Sequence, residues 1–221
     1  MPLPGLLTLL RHGESEGNIA VRASRHGDDK YFTEAYINRH SANLRLTDHG
    51  VAEAKQVGLW IKANNILFTH FYCSSHLRAI ETAGHLNLQG AMWRLEPRLR
   101  ERDFGDWDMN SYSNRAADPK FLERGIRKTV EGLHWRPPNG DSVIDDVAHE
   151  VSALLNEWSA IRDNTSSLIA VTHNDKMRAF QVLLSRENLH AVAGSEFRIG
   201  PQLTNCHILQ YSRLDPNTNE L

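Results

Sequence analysis

Two arginines and two histidines in three separate segments are the residues with the clearest chemical potential. Arg11 and His12 directly follow the apolar run LLTLL, Arg78 lies in SSHLRAIETA, and His173 lies in VTHNDK. Guanidinium groups donate paired, charge-assisted hydrogen bonds to phosphate oxygens, and an unprotonated imidazole can attack phosphorus. Nearby positive charge disfavours the imidazolium form, which would keep His12 nucleophilic near neutral pH. The residue types therefore indicate phosphoryl chemistry, provided that the fold unites the three segments.

Phosphoryl transfer needs charge stabilisation and a proton donor for the leaving oxygen. Its loose transition state spreads charge over the equatorial oxygens, so fixed arginine and histidine donors can replace a metal ion. We therefore expect no metal and no cofactor. A carboxylic acid would protonate the leaving alkoxide and then activate water. Glu101 in LRERDFGDW is the preferred donor, although position alone does not select it over Glu14, Asp103 or Asp106.

The elements that must position these residues alternate between strands and helices. The apolar patterns predict strands at 6–10, 66–73, 92–99 and 168–171, with two more near Phe197 and over 206–211. Helices are predicted over 47–64, after Ser75, over 141–163 and over 174–185. This alternation predicts a mostly parallel sheet covered on both faces, whose ligands bind at the carboxyl ends of the strands. Arg11, Arg78 and His173 would meet there.

Two polar stretches interrupt the alternation, and we interpret the chain as one domain over 1–221 with variable insertions at about 19–45 and 105–140. The first stretch lacks periodicity and holds a second Arg-His-Gly at residues 25–27, which we interpret as solvated loop. His26, His40, His49 and His70 are likewise expected in loops or facing solvent. In the second stretch, Trp107 and Trp135 either line a substrate mouth or pack internally, whereas Trp158 is expected in the core.

The composition excludes several classes of protein. The chain has 221 residues, 40% hydrophobic and 24% charged, and a net charge of -2, which disfavours nucleic acid as a partner. No apolar run approaches the roughly 18–20 residues needed to cross a bilayer. The first residues lack a basic leader and a small-residue cleavage site, so we expect a cytoplasmic protein. Cys73 and Cys206 are expected to be reduced thiols.

Six segments resemble, in order, the motifs of the histidine phosphatase superfamily, the phosphoglycerate mutase-like proteins. They are LLRHGESEGN, LTDHGVAEAKQVG, CSSHLRAIETA, LRERDFGDW, PPNGDS and VTHNDKMRA, and the resemblance covers about 6–211. It implies a three-layer α/β/α sandwich with a mostly parallel central sheet and an insertion over the site. It also assigns each matched residue a role: His12 the phosphorylated histidine, Arg11 and Arg78 phosphate-binding arginines, His173 the second pocket histidine, Glu101 the proton donor, and Asn18 a phosphate-contacting amide.

The sequence also departs from the family pattern. Asn174 and Asp175 replace two glycines, which would narrow the pocket or add a contact, and we count Asn174 among the phosphate-binding candidates. Phe104 stands where mutases usually have tyrosine, and the mutases' paired arginines and lysine have no clear counterpart. The ending LTNCHILQY looks more like the phosphatase branch. These features favour hydrolysis over mutase activity.

We therefore expect a metal-independent phosphomonoesterase that acts through a phosphohistidine at His12, with a small-molecule phosphate ester as substrate and a phosphoprotein as the alternative. Two other functions stay open: the protein is a mutase-type phosphotransferase, or it binds phospholigands without turnover. A metal hydrolase built from His12, His173 and Asp175 lacks the support of an HExxH pair or a carboxylate-rich cluster.

Overall fold

A five-stranded sheet forms the centre of the protein. The computed structural model describes residues 4–161, 165–184 and 203–213. The strands are β1 Leu6–Arg11, β2 His70–Cys73, β3 Arg94–Leu95, β4 Ser167–Thr172 and β5 Ile208–Ser212, in the spatial order β3-β2-β4-β1-β5. The first four strands run parallel and β5 is antiparallel to β1. The predicted mostly parallel sheet is therefore confirmed, and the strand predicted near Phe197 lies outside the described residues.

The continuous apolar character of the central strands reflects burial on both faces of the sheet. In β1, Leu7 and Leu9 join one core cluster while Leu10 joins the other. β4 alternates in the same way, with Ala170 on the first face and Val171 on the second. Because neighbouring side chains point to opposite faces, a strand covered by helices on both sides needs apolar residues at every position.

Eight α-helices lie in the described part of the chain, and four of them cover the sheet. Their bounds are α1 Glu16–Arg25, α2 Glu34–Ile37, α3 Asp48–Ala63, α4 Leu77–Leu86, α5 Tyr112–Ala116, α6 Phe121–Glu131, α7 Ala148–Trp158 and α8 Asn174–Leu184. Ile61 of α3 and Ala83 of α4 pack with Leu10, whereas α7 and α8 pack with Leu7 and Leu9. The result is the expected three-layer α/β/α sandwich.

The stretch 19–45, predicted as irregular, is instead partly helical. α1 begins after Ser15, where Ser15 and Asn18 form a reciprocal capping box, and it extends to Arg25. The helix that follows, α2, is capped by Thr33. Tyr36 and Leu44 bury themselves with Ala20 in a small separate core. Apolar residues are too sparse here to give a helical period, so their long-range packing could not be read from the sequence.

Other element boundaries also differ from the sequence prediction. The strand predicted over 66–73 begins only at His70, and the segment 92–99 contains the two-residue β3 and a 3-10 turn. The helix predicted over 141–163 starts as a π-helical turn, Val143–Val147, before α7. The stretch 105–140 holds α5 and α6 beside the carboxyl edge of the sheet. By contrast, α3 begins as predicted, with Thr47 as its N-cap.

Candidate active site

His12 and His173 are brought together by the pairing of β1 with β4. In this parallel register Arg11 lies opposite Thr172, so the residue after each strand is a histidine. The backbone N–H of His12 donates to the carbonyl oxygen of Thr172 at 3.0 Å, and the two imidazole centroids are 5.0 Å apart. The parallel strands therefore deliver both rings to one edge of the sheet, as the sequence predicted.

The His12 ring is held in the form that a nucleophile needs. Only 3% of the residue is exposed, and its Nδ1 lies 2.7 Å from the carbonyl oxygen of Gly13. A carbonyl only accepts, so Nδ1 carries the proton and the lone pair is on Nε2. Burial, followed by the charges of Arg78 and Arg11, lowers the pKa of His12 well below its usual value. The ring is therefore neutral near neutral pH.

Two buried guanidinium groups flank this ring. Arg78 donates from Nε to Nε2 of His12 at 3.2 Å and from Nη1 to the carbonyl oxygen of Ser41 at 2.8 Å. Arg11 donates to the carbonyl oxygen of Leu203 from Nη1, and its buried Nε has no hydrogen-bond partner among the described residues. Burial lowers the pKa of both, but an arginine stays charged at neutral pH. Both retain N–H groups for an anion in the cavity.

His173 and His76 complete the buried polar edge. Nε2 of His173 lies 2.8 Å from the hydroxyl of Ser74, and its ring centroid is 4.9 Å from that of His76. Burial and then the charge of Arg78 lower the pKa of both histidines, that of His76 to about 3. We did not predict His76 as a site residue from the sequence. Its position two residues before Arg78, in a segment expected at the same edge of the sheet, could have indicated it.

Glu101 lies in the cavity wall beside Asp175. Its Oε2 accepts from the backbone N–H of Asp175 at 3.4 Å, and its Oε1 accepts from the backbone N–H of Arg102 at 3.1 Å. Burial raises the pKa of Glu101, and the carboxylate of Asp175 raises it further. The structure thus gives Glu101 an environment that favours the protonated acid.

The other carboxylates that the sequence left open have protein partners. Glu14 forms a 2.7 Å ion pair with Arg22. Asp103 accepts from the backbone N–H of Gly105, and Asp106 accepts from the amide of Asn139. Both aspartates are exposed and neither lines the cavity. Of the four candidates, Glu101 therefore fits the part of a proton donor best.

The two asparagines named from the sequence both line the cavity but differ in what they offer an anion. Asn18 uses its amide oxygen to accept from Ser15 and from Nδ2 of Asn205 at 3.0 Å, so its NH2 group is the donor it can present. The NH2 group of Asn174 instead donates to Asp175 at 2.7 Å, and its buried amide oxygen has no partner among the described residues. An oxygen acceptor does not suit a phosphate, so this geometry supports Asn18 more than Asn174.

One cavity of about 790 Å³, whose outer wall comes from the two insertions, is lined by most of the site residues: Arg11, His12, Asn18, His76, Arg78, Glu101 and Asn174. His173 lies fully buried behind His12 and is not part of its lining. Trp107 and Trp135 line it with ring centroids 4.8 Å apart, and Trp158 lies in the core as expected. Arg25 and His26 of the second Arg-His-Gly also line it. The interpretation of that tripeptide as solvated loop agrees with the exposure of both residues, but Arg25 is the last residue of α1 rather than part of a loop. The fold of the insertion, which the sequence pattern did not reveal, brings both residues to the cavity.

The described residues lack two features that are typical of other protein classes. Over 4–161, 165–184 and 203–213, no group of three His, Cys, Asp or Glu side chains is arranged to hold a metal ion. None of the helices described is both long enough and apolar enough to traverse a bilayer.

Comparison with known proteins gives one family and two kinds of relative. The family model described as histidine phosphatase superfamily (branch 1) matches residues 7–219. A 2,3-bisphosphoglycerate-dependent phosphoglycerate mutase from Azorhizobium caulinodans is 27% identical over 200 residues, which are 88% of each chain. A mycobacterial glucosyl-3-phosphoglycerate phosphatase is similar in structure, with a TM-score of 0.70 and 21% identity over 94% of this chain and 90% of that chain. An alpha-ribazole phosphatase from Shigella flexneri is also similar in structure, with a TM-score of 0.67 and 19% identity over 97% of this chain and 92% of that chain.

Proposed function

Because the chain belongs to the histidine phosphatase superfamily, we propose that it is a metal-independent phosphomonoesterase that acts through a phosphohistidine at His12. The observation that carries this proposal is a neutral, buried His12 whose Nε2 lone pair lies beside the guanidinium of Arg78. The lone pair supplies the nucleophile, and Arg78 and Arg11 supply donors for the equatorial oxygens of the transferring group.

In the first step, Nε2 of His12 attacks phosphorus as the P–O bond to the leaving group breaks. Glu101 gives its proton to the leaving alkoxide and becomes a carboxylate. The new P–N bond leaves positive charge on the ring, and the Gly13 carbonyl that accepts from Nδ1 stabilises it. Arg78 transfers its Nε hydrogen bond from the ring to a phosphate oxygen as the ester binds.

In the second step, water attacks the phosphohistidine. The Glu101 carboxylate takes a proton from this water as the P–N bond breaks, which yields inorganic phosphate, neutral His12 and protonated Glu101. His173, whose Nε2 meets the hydroxyl of Ser74, lies beside the reacting ring as an oriented partner for the phosphoryl oxygens. No step requires a metal ion, because the donors and acceptors are protein groups.

A mutase is the second candidate, and the names of the curated relatives favour it. Both activities share the phosphohistidine and differ in whether water or a phospholigand accepts the phosphoryl group. The names of structural neighbours favour hydrolysis, and so does Phe104, which stands where the mutase branch usually has tyrosine. Phosphorus NMR separates the two activities, because hydrolysis of 3-phosphoglycerate gives inorganic phosphate and a mutase gives 2-phosphoglycerate.

Release of 4-nitrophenol from 4-nitrophenyl phosphate in excess EDTA tests the proposal. Wild type should turn over, His12→Ala should lose at least about a thousandfold in kcat/KM, and the exposed control His149→Ala should match wild type. Abolition of wild-type activity by EDTA, or an active His12→Ala, would overturn the mechanism. Tight binding of the ester without release of product would instead indicate a protein that binds phospholigands.

A further inference from the structure

Asn174 places an amide oxygen at the cavity that the described part of the protein does not use. The residue begins α8, directly after His173, and it lines the cavity with only 8% of its surface exposed. An asparagine beside a helix start is commonly a cap, whose amide oxygen accepts from backbone N–H groups of the first turn. The Oδ1 atom of Asn174 instead has no hydrogen-bond partner among the described residues. The side chain is therefore not held there as a helix cap.

The orientation of this amide is fixed by the carboxylate of Asp175. The NH2 group of Asn174 donates to Oδ1 of Asp175 at 2.7 Å. Because a carboxylate only accepts, the reversed amide would set two oxygens against each other, so the NH2 group must face Asp175. Asp175 is itself held by ion pairs with Arg102 at 2.6 Å and with Arg178 at 3.5 Å. The oxygen of Asn174 therefore offers an acceptor in a fixed direction.

Asp175 also connects this acceptor to the proposed acid and base. Its backbone N–H donates to Oε2 of Glu101 at 3.4 Å, while its side chain holds the amide of Asn174. Glu101 and Asn174 both line the cavity. One residue thus holds two oxygen acceptors at the cavity wall, of which one is a base and the other a neutral amide.

A neutral oxygen acceptor suits a reacting group that carries hydrogen. The phosphoryl oxygens carry no hydrogen to give it, and under the proposed function they face the guanidinium groups of Arg11 and Arg78. The water that attacks the phosphohistidine has two O–H groups. Glu101 takes the proton of one of them, and the other needs a separate acceptor, because an unpaired donor in a buried site costs free energy.

We propose that Asn174 is a further catalytic residue, whose amide oxygen accepts a hydrogen bond from the water that attacks the phosphohistidine. This role rests on the proposed function and belongs to its second step. With one O–H directed to Glu101 and the other to Asn174, a lone pair of the water oxygen faces phosphorus. The water oxygen bonds to phosphorus, one proton passes to Glu101, the other stays on the phosphate, and the electrons of the P–N bond return to Nε2 of His12.

The role is specific to water. An alcohol has a single O–H group, which gives its proton to Glu101, so an alcohol has no hydrogen left for Asn174. The amide oxygen therefore assists hydrolysis and does not assist transfer of the phosphoryl group to an alcohol.

Partition of the phosphoryl group between water and methanol tests this role. Turnover of 4-nitrophenyl phosphate in aqueous methanol gives inorganic phosphate from water and methyl phosphate from methanol, and phosphorus NMR measures both. Asn174→Leu and Asn174→Ala lack the acceptor, so the ratio of methyl phosphate to inorganic phosphate should rise about tenfold, as expected for the loss of one hydrogen bond. Both products arise from the same phosphohistidine, so this ratio does not depend on which step limits turnover.

Matched variants separate the loss of the acceptor from a structural effect. Asn174→Ser keeps a hydroxyl that donates to Asp175 and accepts from water, so its ratio should stay within about threefold of wild type. Asn156→Leu changes an exposed residue of α7 away from the cavity and should match wild type. A disturbance of Glu101 would slow attack by water and by methanol alike, because both give their proton to that carboxylate, and would leave the ratio unchanged.

The outcomes distinguish failure of this role from failure of the proposed function. Release of 4-nitrophenol with the same product ratio in wild type, Asn174→Leu and Asn174→Ala would leave the phosphatase and overturn the role of Asn174. An equal rise of the ratio in Asn174→Ser and Asn174→Leu would also overturn it, since the change would then follow lost packing rather than a lost acceptor. No release of 4-nitrophenol by wild type would overturn the proposed function, and the role of Asn174 with it.

Discussion

Nε of Arg78 donates a 3.2 Å hydrogen bond to Nε2 of His12, the atom that must attack phosphorus in the proposed reaction. The bond requires a lone pair on Nε2, so it selects the neutral ring whose Nδ1–H faces Gly13. The same guanidinium can hold a phosphate oxygen once an ester displaces it from the ring. In the proposed reaction, Arg78 would therefore both prepare the nucleophile and bind the group that the nucleophile attacks.

Replacing Arg78 separates its charge from its geometry. Arg78→Lys keeps a cation but loses the planar fork, so kcat/KM for 4-nitrophenyl phosphate should fall roughly a hundredfold to a thousandfold. The acidic limb of its pH profile of kcat/KM should stay where it is in wild type. Arg78→Met also removes the charge that lowers the pKa of His12, so its acidic limb should move to higher pH. Arg94→Lys, exposed on β3, is the control. An unshifted acidic limb in Arg78→Met would contradict this account.

Glu101→Gln tests proton donation through the leaving group. An alkoxide needs the proton more than 4-nitrophenolate does, so kcat for an alkyl phosphate should fall by about 10²–10⁴, with a much smaller effect on the first step for 4-nitrophenyl phosphate. A single-turnover measurement of leaving-group release isolates that step. Glu123→Gln, an exposed change on α6, should leave both substrates unaffected. Equal losses for the two leaving groups would show that Glu101 does not act as the acid.

Asp175 should set the pH range over which Glu101 stays protonated. The Asp175 carboxylate raises the pKa of Glu101, so Asp175→Asn should lower that pKa and move the basic limb of kcat/KM to lower pH. The substitution also frees Arg102, whose charge acts in the same direction. Three other cations face Glu101 and are present in both the wild type and the variant. They are Arg11 of β1, Arg78 of α4 and Lys176 of α8.

The pH profile of Asp175→Asn is compared with that of Asp145→Asn, which changes an exposed carboxylate away from the cavity. A merely structural loss would lower activity at every pH without moving the limb. A basic limb that stays in place or moves upward would refute the role of Asp175.

A pair of helical glycines tests the packing of α3 on α4. A Cβ at Gly58 would overlap the backbone carbonyl of Leu86, whereas a Cβ at Gly84 would meet no atom within 4 Å. Gly58→Ala should therefore lower the free energy of unfolding by about 1–3 kcal/mol. Gly84→Ala should raise it by up to about 1 kcal/mol through helix propensity. Urea unfolding of both variants measures this, and a neutral Gly58→Ala would show that the helices can separate.

The sheet and the central histidines could be predicted because their signals are local. A strand buried on both faces reads as a continuous apolar run, and a polar residue directly after it falls at the carboxyl edge of the sheet. These two local rules are enough to place His12 and His173 side by side. The cap at Thr47 is equally local, since the side chain of that residue accepts from Gly50 three positions later.

Other features depend on contacts that no short segment encodes. Glu101 is distinguished from Asp103 by burial against Asp175, which is 72 positions further along the chain than Asp103 and follows another strand. Arg25 and Lys128 reach the cavity because the insertions fold against each other through Asp29 and Ser113. Neither relationship has a periodicity or a spacing by which the sequence could reveal it.

Detection of a phosphoryl group on His12 tests the central claim most directly. The variant Glu101→Gln, in which we expect attack by water to be slow, is mixed with 4-nitrophenyl phosphate and quenched in alkali. Digestion with trypsin then releases residues 12–22, with His12 as the only histidine. We predict one added phosphoryl group on that peptide, lost on brief acid treatment and missing from a Glu101→Gln protein that also carries His12→Ala. An unmodified 12–22 peptide during turnover, or an acid-stable phosphoryl group elsewhere, would contradict the phosphohistidine mechanism.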